Sequence, residues 1–435
     1  MQPRRATAAV LAALALGSCA QEGPDARGGG GERTRGVSAE LSGEAFDPSV
    51  LLAGTTALDD PSASRALAEL ARDRGLLGAR WLAGTVAGDD RFAYWYQPGS
   101  DTYHRDDYNA VRHAGVTYSL FQALDWDDDP AIRRAGETGV RWIASHAIET
   151  DAGRAFEHDG ITKLGGQALA VVALLERRRV TGDASRDPLI DDLATFLLSM
   201  ERPTPSGAYW NSFVDGERLP EPDSDYYPGE ALLALARLAA AFPARSDYAE
   251  AAQRAAHYLV HVRDGDLPAL GVVPRDDHWL TIALNDLDRL DPDDGYAAVV
   301  RLQGERMRAG QYTAADGRAD LVGASGAQDP VNYTSTATKG EAFVAAWSLA
   351  ERRRDPVLAD AMADAARATA QFAMRVQFGE RAASRFPAPA HAVGAWPTGP
   401  DSDDVRMDFV QHNASLLFGV AWMTLEGDVP AQPDV

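Results

Sequence analysis

Two kinds of apolar segment alternate along this chain. One kind is apolar on nearly every side, at 168–176, 230–241, 341–349 and 414–423, the pattern of a helix surrounded by protein. The other is amphipathic and studded with Arg, Glu and Asp, at 64–83, 131–148, 249–262 and 357–372. That pattern predicts helices with one face on the core and one in water. Start signals mark the second kind. Asp60-Pro61, Asp129-Pro130, Asp187-Pro188 and Asp355-Pro356 each offer Asp as N-cap and Pro as first helical residue. The carboxylate accepts from free amides and the ring presets the first dihedral. Ser246-Asp247 and Asp293-Asp294 are expected to open two more outer helices in the same way.

The apolar kind begins at a repeated motif, a polar residue followed by a small one. It reads Arg112-His113-Ala114-Gly115, Lys163-Leu164-Gly165-Gly166-Gln167-Ala168, Tyr226-Tyr227-Pro228-Gly229-Glu230-Ala231, Asp277-His278-Trp279-Leu280, Thr338-Lys339-Gly340-Glu341-Ala342 and Gln411-His412-Asn413-Ala414-Ser415. The recurrence, every ~50 to 70 residues, is the length of a helical hairpin plus a loop. Six inner and six outer starts predict an all-α fold, an (α/α)6 toroid, as one domain over 46–435. Its first outer helix would pair with the last inner one, near 408–425, and close the ring. Several outer-to-inner connections are long (201–226, 311–337, 380–407) and carry aromatics. Short β-hairpins are expected in them, at one face of the ring, and structured loops of that length usually serve function.

Those connections deliver chemistry to the inner-helix starts. Candidate acids and bases are Glu230, Glu341, Asp277, Asp408, His113, His278 and His412. Candidate substrate contacts are Arg112, Tyr118, Lys163, Gln167, Tyr226, Tyr227, Trp279, Lys339, Arg406 and Gln411. Lys163 and Lys339 are the only lysines of the chain, and both lie in the repeated motif. Two carboxylates across a hollow suit glycosyl transfer, while histidines suit proton abstraction. A carboxylate in a first helical turn also complements the helix dipole with no catalytic role.

The ordered motifs Arg-His-Ala-Gly-x-Thr-Tyr at 112–118, Lys-Leu-Gly-Gly-x-Ala at 163–168, Tyr-Tyr-Pro-Gly-Glu-Ala at 226–231, Asp-His-Trp-Leu at 277–280 and Gln-His-Asn-Ala at 411–414 resemble a bacterial group in the six-hairpin glycosidase-like superfamily. The resemblance covers about 110–425. It implies the toroid fold and an activity among glycoside hydrolases, polysaccharide lyases and sugar epimerases, without a catalytic motif that aligns residue by residue. Hydrolysis of a glycan is the first expectation, lyase or epimerase chemistry the second. The alternative is a non-catalytic toroid that binds a glycan or a partner. Arg112, Lys163 and Lys339 at the mouth make a uronate-containing glycan the expected substrate class, because a local field can oppose the charge of the whole molecule.

Composition narrows the picture further. A net charge of −22 opposes nucleic acid as partner, since phosphate binding needs a basic face. There is no Gly-x-Ser-x-Gly elbow, no Cys-x-x-Cys, no His-Glu-x-x-His and no complete calcium loop, so no cofactor and no metal ion is expected from motifs. At the N-terminus, Arg4 and Arg5 precede an apolar run and then Leu16-Gly17-Ser18-Cys19. This resembles a bacterial lipobox, with 1–18 as signal peptide. Cys19, the only cysteine, is the expected lipidation site, and 19–45, rich in Gly, Glu and Arg, the flexible tether. The chain is thus expected in the bacterial cell envelope, lipid-anchored to a membrane and facing periplasm or exterior.

Overall fold

The computed structural model describes residues 61–426, with side chains from 64 onward. The expected signal, Cys19 and the tether lie outside the described residues. Twelve long helices run in the order α1 (Pro61–Gly84), α2 (Ala110–Ala123), α3 (Pro130–Ser145), α4 (Leu164–Thr181), α5 (Asp187–Ser199), α6 (Tyr227–Ala241), α7 (Ser246–His261), α8 (His278–Leu290), α9 (Asp294–Ala309), α10 (Tyr333–Arg353), α11 (Pro356–Val376) and α12 (Met407–Leu425). The even-numbered helices pack side by side as an inner ring, and α12 meets α2 to complete it. Odd-numbered helices form the outer layer, and α1 lies along α12, the pairing that closure required. The fold is an (α/α)6 toroid.

Burial follows the sequence pattern. Every residue of α12 from Met407 to Met423 is buried, whereas α3 buries Ile132, Ala135, Gly136, Gly139, Val140 and Ile143 along one stripe. Gly136 lets the layers approach, since a Cβ there would lie 3.0 Å from the Phe121 ring on α2. Among the described residues no helix is long and apolar enough to cross a membrane.

The caps hold in part. Asp129, Asp293 and Asp355 cap α3, α9 and α11, accepting from Ala131, Gly295 and Leu358 amides. Two starts differ from expectation. A 3-10 turn at Ala184–Arg186 precedes α5 and makes Arg186 its N-cap, so Asp187 sits inside the first turn. Arg245 precedes α7, and Asp247 binds that arginine instead of capping amides. Asp60 lies outside the described residues.

Among the described residues, all eight short strands lie in outer-to-inner connections. They are β1 (Trp95–Gln97), β2 (Thr102–His104), β3 (Ala147–Thr150), β4 (Gly153–Phe156), β5 (Ile161–Lys163), β6 (Ser212–Val214), β7 (Glu217–Arg218) and β8 (Val405–Arg406). Sheets β2-β1-β8 and β5-β6-β7 tie distant connections together. Trp95 pairs with Arg406, and Lys163 with Ser212. These pairings fix the rim from which the inner helices start.

Candidate active site

Three inner helices bring His278, Glu341 and His412 into one cluster. His278 opens α8, whose N-cap Asp277 accepts from the Leu280 amide at 2.9 Å. His412 lies in the second turn of α12, and Glu341 two turns into α10. Glu341 Oε2 is 2.8 Å from His412 Nδ1. The His278 and His412 rings meet edge to face, centroids 5.4 Å apart. Trp279 lies against both, at 4.8 and 6.0 Å, and Tyr226 leans on His278 at 5.9 Å. All three titratable members are buried.

Their surroundings pull them apart electrostatically. Burial, with His412 and Lys339 adding repulsion, drives the His278 imidazolium well below its usual range, so that this ring is neutral. Its Nε2 is buried without a hydrogen-bond partner. Burial raises the Glu341 carboxyl although His412 opposes the shift. The Glu341–His412 bond fixes the orientation of the ring, as a proton-transfer histidine needs.

A second group lies next to it on α12. Arg112 Nε reaches Asp408 Oδ2 at 3.0 Å, while Arg406 grips both oxygens, at 2.6 and 2.9 Å. Arg112 also donates to the Tyr94 hydroxyl. Burial alone would raise the Asp408 carboxyl, but the two guanidiniums win and hold it at about 2. Two arginines against one aspartate leave this buried group with an excess of positive charge. Arg406 also lies over the Trp95 and Phe409 rings. Gln411 lies beside the histidine, its Nε2 3.4 Å from His412 Nδ1.

Glu230 and Asp277 form a third group behind His278. Glu230 is fully buried with neither oxygen hydrogen-bonded, and Asp277 has Oδ2 unpaired. Burial and the Asp277 charge push Glu230 up to about 8. Burial likewise raises Asp277 to about 7, against the Leu280 amide and Arg263. Two glycines make room for these carboxyls. A Cβ on Gly165 would collide with Glu230 Oε2 and the Tyr227 ring, and one on Gly229 would stand 2.7 Å from the Leu280 amide.

The other candidates sit elsewhere. His113 is fully buried between α2 and α3, Nδ1 2.7 Å from the Tyr108 hydroxyl and Nε2 3.1 Å from the Gly139 carbonyl. Its ring packs 4.2 Å from Trp142, and burial lowers it to about 3. Tyr118 points to the opposite end of the ring, where its hydroxyl accepts from Gln122 and Arg237. Gln167 staples β4 to α4 and α5, accepting from Phe156 and donating to Arg154 and Leu193 carbonyls. Lys163, half-buried, is the N-cap of α4. Lys339 binds Ser335 Oγ at 3.1 Å and pairs with Asp276 at 3.6 Å.

Tyr94 and Asp276 were not among the sequence candidates. Tyr94 lies in the aromatic segment before α2, and Asp276 forms a consecutive pair with Asp277, so both carried a sequence signal.

No protein-family model matches the chain, and no curated protein sequence matches it. Solved structures do. A D-mannose isomerase superposes with a TM-score of 0.59 at 12% identity, over 82% of this chain and 98% of that one. The cellobiose 2-epimerase of Spirochaeta thermophila gives 0.57 at 16%, over 83% and 98%. An inactive α-1,6-mannanase variant from Salegentibacter sp. HEL1_6, with two consecutive aspartates replaced by asparagine and α-1,6-mannotriose bound, gives 0.55 at 11%, over 81% and 99%. At such identities the likeness establishes the shared toroid.

Proposed function

We propose that this protein is a sugar-modifying enzyme that moves a proton between carbons or faces next to a carbonyl, as an epimerase or isomerase does. The observation that carries the reading is the contact between His278 and His412, with Glu341 behind the latter. In the proposed reaction a neutral imidazole takes the proton from the carbon beside the carbonyl. The partner ring gives a proton to the carbonyl oxygen, and an enediol results. Protonating the same carbon from its other face, while the new hydroxyl returns its proton to the partner ring, yields the epimer; protonating the neighbouring carbon, while the hydroxyl of the first carbon gives up its proton, yields the ketose. Arg112 and Arg406 would bind the developing oxygen charge. The fold likeness to a D-mannose isomerase and a cellobiose 2-epimerase is in keeping with this chemistry.

The carboxylates fit hydrolysis less well. Asp408 is held ionised by two arginines and cannot donate a proton near neutral pH. Glu341 is engaged with His412, and Glu230 lies sealed against Gly165. One observation favours a second reading, glycan hydrolysis. Asp276 and Asp277 stand side by side at the start of an inner helix, and a replaced pair of consecutive aspartates marks the inactive mannanase. Incubation with D-mannose, cellobiose and α-1,6-mannotriose separates the two. A new epimer or ketose of unchanged mass supports proton transfer, and shorter sugars from mannotriose support hydrolysis.

We further propose that the enzyme works at the bacterial envelope, held by lipid on Cys19. Replacing Cys19→Ser should move the protein from the membrane to the soluble fraction; retention at the membrane would refute the anchor.

A further inference from the structure

The same three side chains that suit proton transfer also form a ligand set. His278, Glu341 and His412 each offer one metal-ligating atom, and these atoms all lie within 4.8 Å of one another. We propose that this triad binds a divalent transition ion of the zinc class, and that the bound ion holds the enzyme inactive. The inhibition rests on the proton-transfer reading above; the ion site rests on the ligand geometry alone.

Two imidazoles and one carboxylate are a donor set that suits zinc, with a fourth position left for water or substrate. In a tetrahedral site two atoms each ~2.1 Å from the ion stand ~3.4 Å apart, so the widest pair has to close by up to about 1.4 Å, a side-chain adjustment. Glu341 and His412 already stand at 2.8 Å. An independent observation supports a ligand here. His278 Nε2 is a buried nitrogen without a partner, in a side chain 3% exposed, and such groups are rarely left unsatisfied. Lys339 opposes a cation from two residues before Glu341, but it pairs with Asp276 at 3.6 Å. Sequence motifs gave no sign of the site because its ligands lie on α8, α10 and α12 and share no local spacing. A ring nitrogen bound to an ion cannot accept a proton, so occupancy and proton transfer exclude each other.

Calorimetric titration of chelator-stripped protein with zinc chloride tests the site, with no substrate present. The expected result is one ion per chain at micromolar concentration or tighter. In His278→Asn and His412→Asn, affinity should fall by at least the roughly tenfold to hundredfold that losing even an outer partner costs. Glu341→Gln, nearly isosteric, gives the same reading should a histidine variant fail to fold. A His261→Asn, His391→Asn variant, which removes two more accessible rings, should bind as wild type does. No binding by the wild type, or equal binding by Glu341→Gln, would overturn the site. Where zinc binds, turnover should stop and return with chelator; turnover undiminished at saturating zinc would overturn the inhibition. Absence of ion binding leaves the proton-transfer reading intact, and absence of sugar turnover leaves the ion site intact.

Discussion

Glu341 Oε2 lies 2.8 Å from His412 Nδ1 across 71 residues of sequence. The two belong to neighbouring inner helices, so the toroid itself holds the pair together. If Glu341 orients His412, then Glu341→Gln should keep the fold, since an amide oxygen can still accept from Nδ1, yet lose the counter-charge. We expect the melting temperature to change little while kcat falls by roughly a hundredfold or more, within the 10²–10⁴ range typical of acid–base catalysis. An unchanged kcat would remove Glu341 from the mechanism.

Asp408 answers two arginines at once. Replacing Asp408→Asn removes the carboxylate that Arg112 and Arg406 share in a buried ion pair, a kind of change that costs about 3–5 kcal/mol. The wild-type carboxyl should also contribute to acid stability. Its folded value, about 2, lies below its ordinary 3.8. The stabilisation is therefore complete above about pH 4 and is lost as pH falls through 2; at about 1.4 kcal/mol per unit it amounts to about 2 kcal/mol. Denaturant melts at pH 6 and pH 3 should show the mutant's deficit shrinking with acid.

Glu230 carries the opposite sign. Its carboxyl is raised to about 8 from 4.5, so the folded state keeps a proton that the unfolded chain releases. That contribution is fully present below about pH 4.5 and drains away as pH rises to 8. Glu230→Gln removes the ionisation and should flatten stability between pH 5 and 8, gaining on wild type at the alkaline end. Parallel pH curves for the two proteins would contradict the burial.

Gly165 stands where the Glu230 carboxyl and the Tyr227 ring leave no room for a Cβ. Gly165→Ala should destabilise by about 1–3 kcal/mol, the usual cost of overpacking. Pairing it with Glu230→Ala should recover part of that loss, and thermal melts of the single and double variants check it.

The toroid was legible because two independent patterns agreed, all-round apolar segments against amphipathic ones, with Asp and Pro at many outer starts. Boundaries were less legible. Asp187-Pro188 looks like Asp355-Pro356, yet a 3-10 turn ahead of α5 takes over the cap. Helix α10 begins at Tyr333, six residues before Lys339, because Asn332 caps it first. The site was legible as a convergence, not as a set of contacts. His113, His278 and His412 occupy similar motif positions. What separates them is tertiary, since Tyr108, Trp142 and the Gly139 carbonyl enclose His113 from elements distant in sequence. Glu230 and Glu341 look equivalent in their repeats, but one faces Gly165 and Asp277 and the other faces His412.

The central claim is proton transfer by the His278–His412 pair. Incubation with D-mannose and with cellobiose in heavy water, read by mass spectrometry, tests it most directly. The account predicts one deuterium gained on carbon with the sugar chain intact, and none with His278→Asn or His412→Asn. Uptake that persists in both variants would contradict it, as would shortened products carrying solvent oxygen and no carbon-bound deuterium.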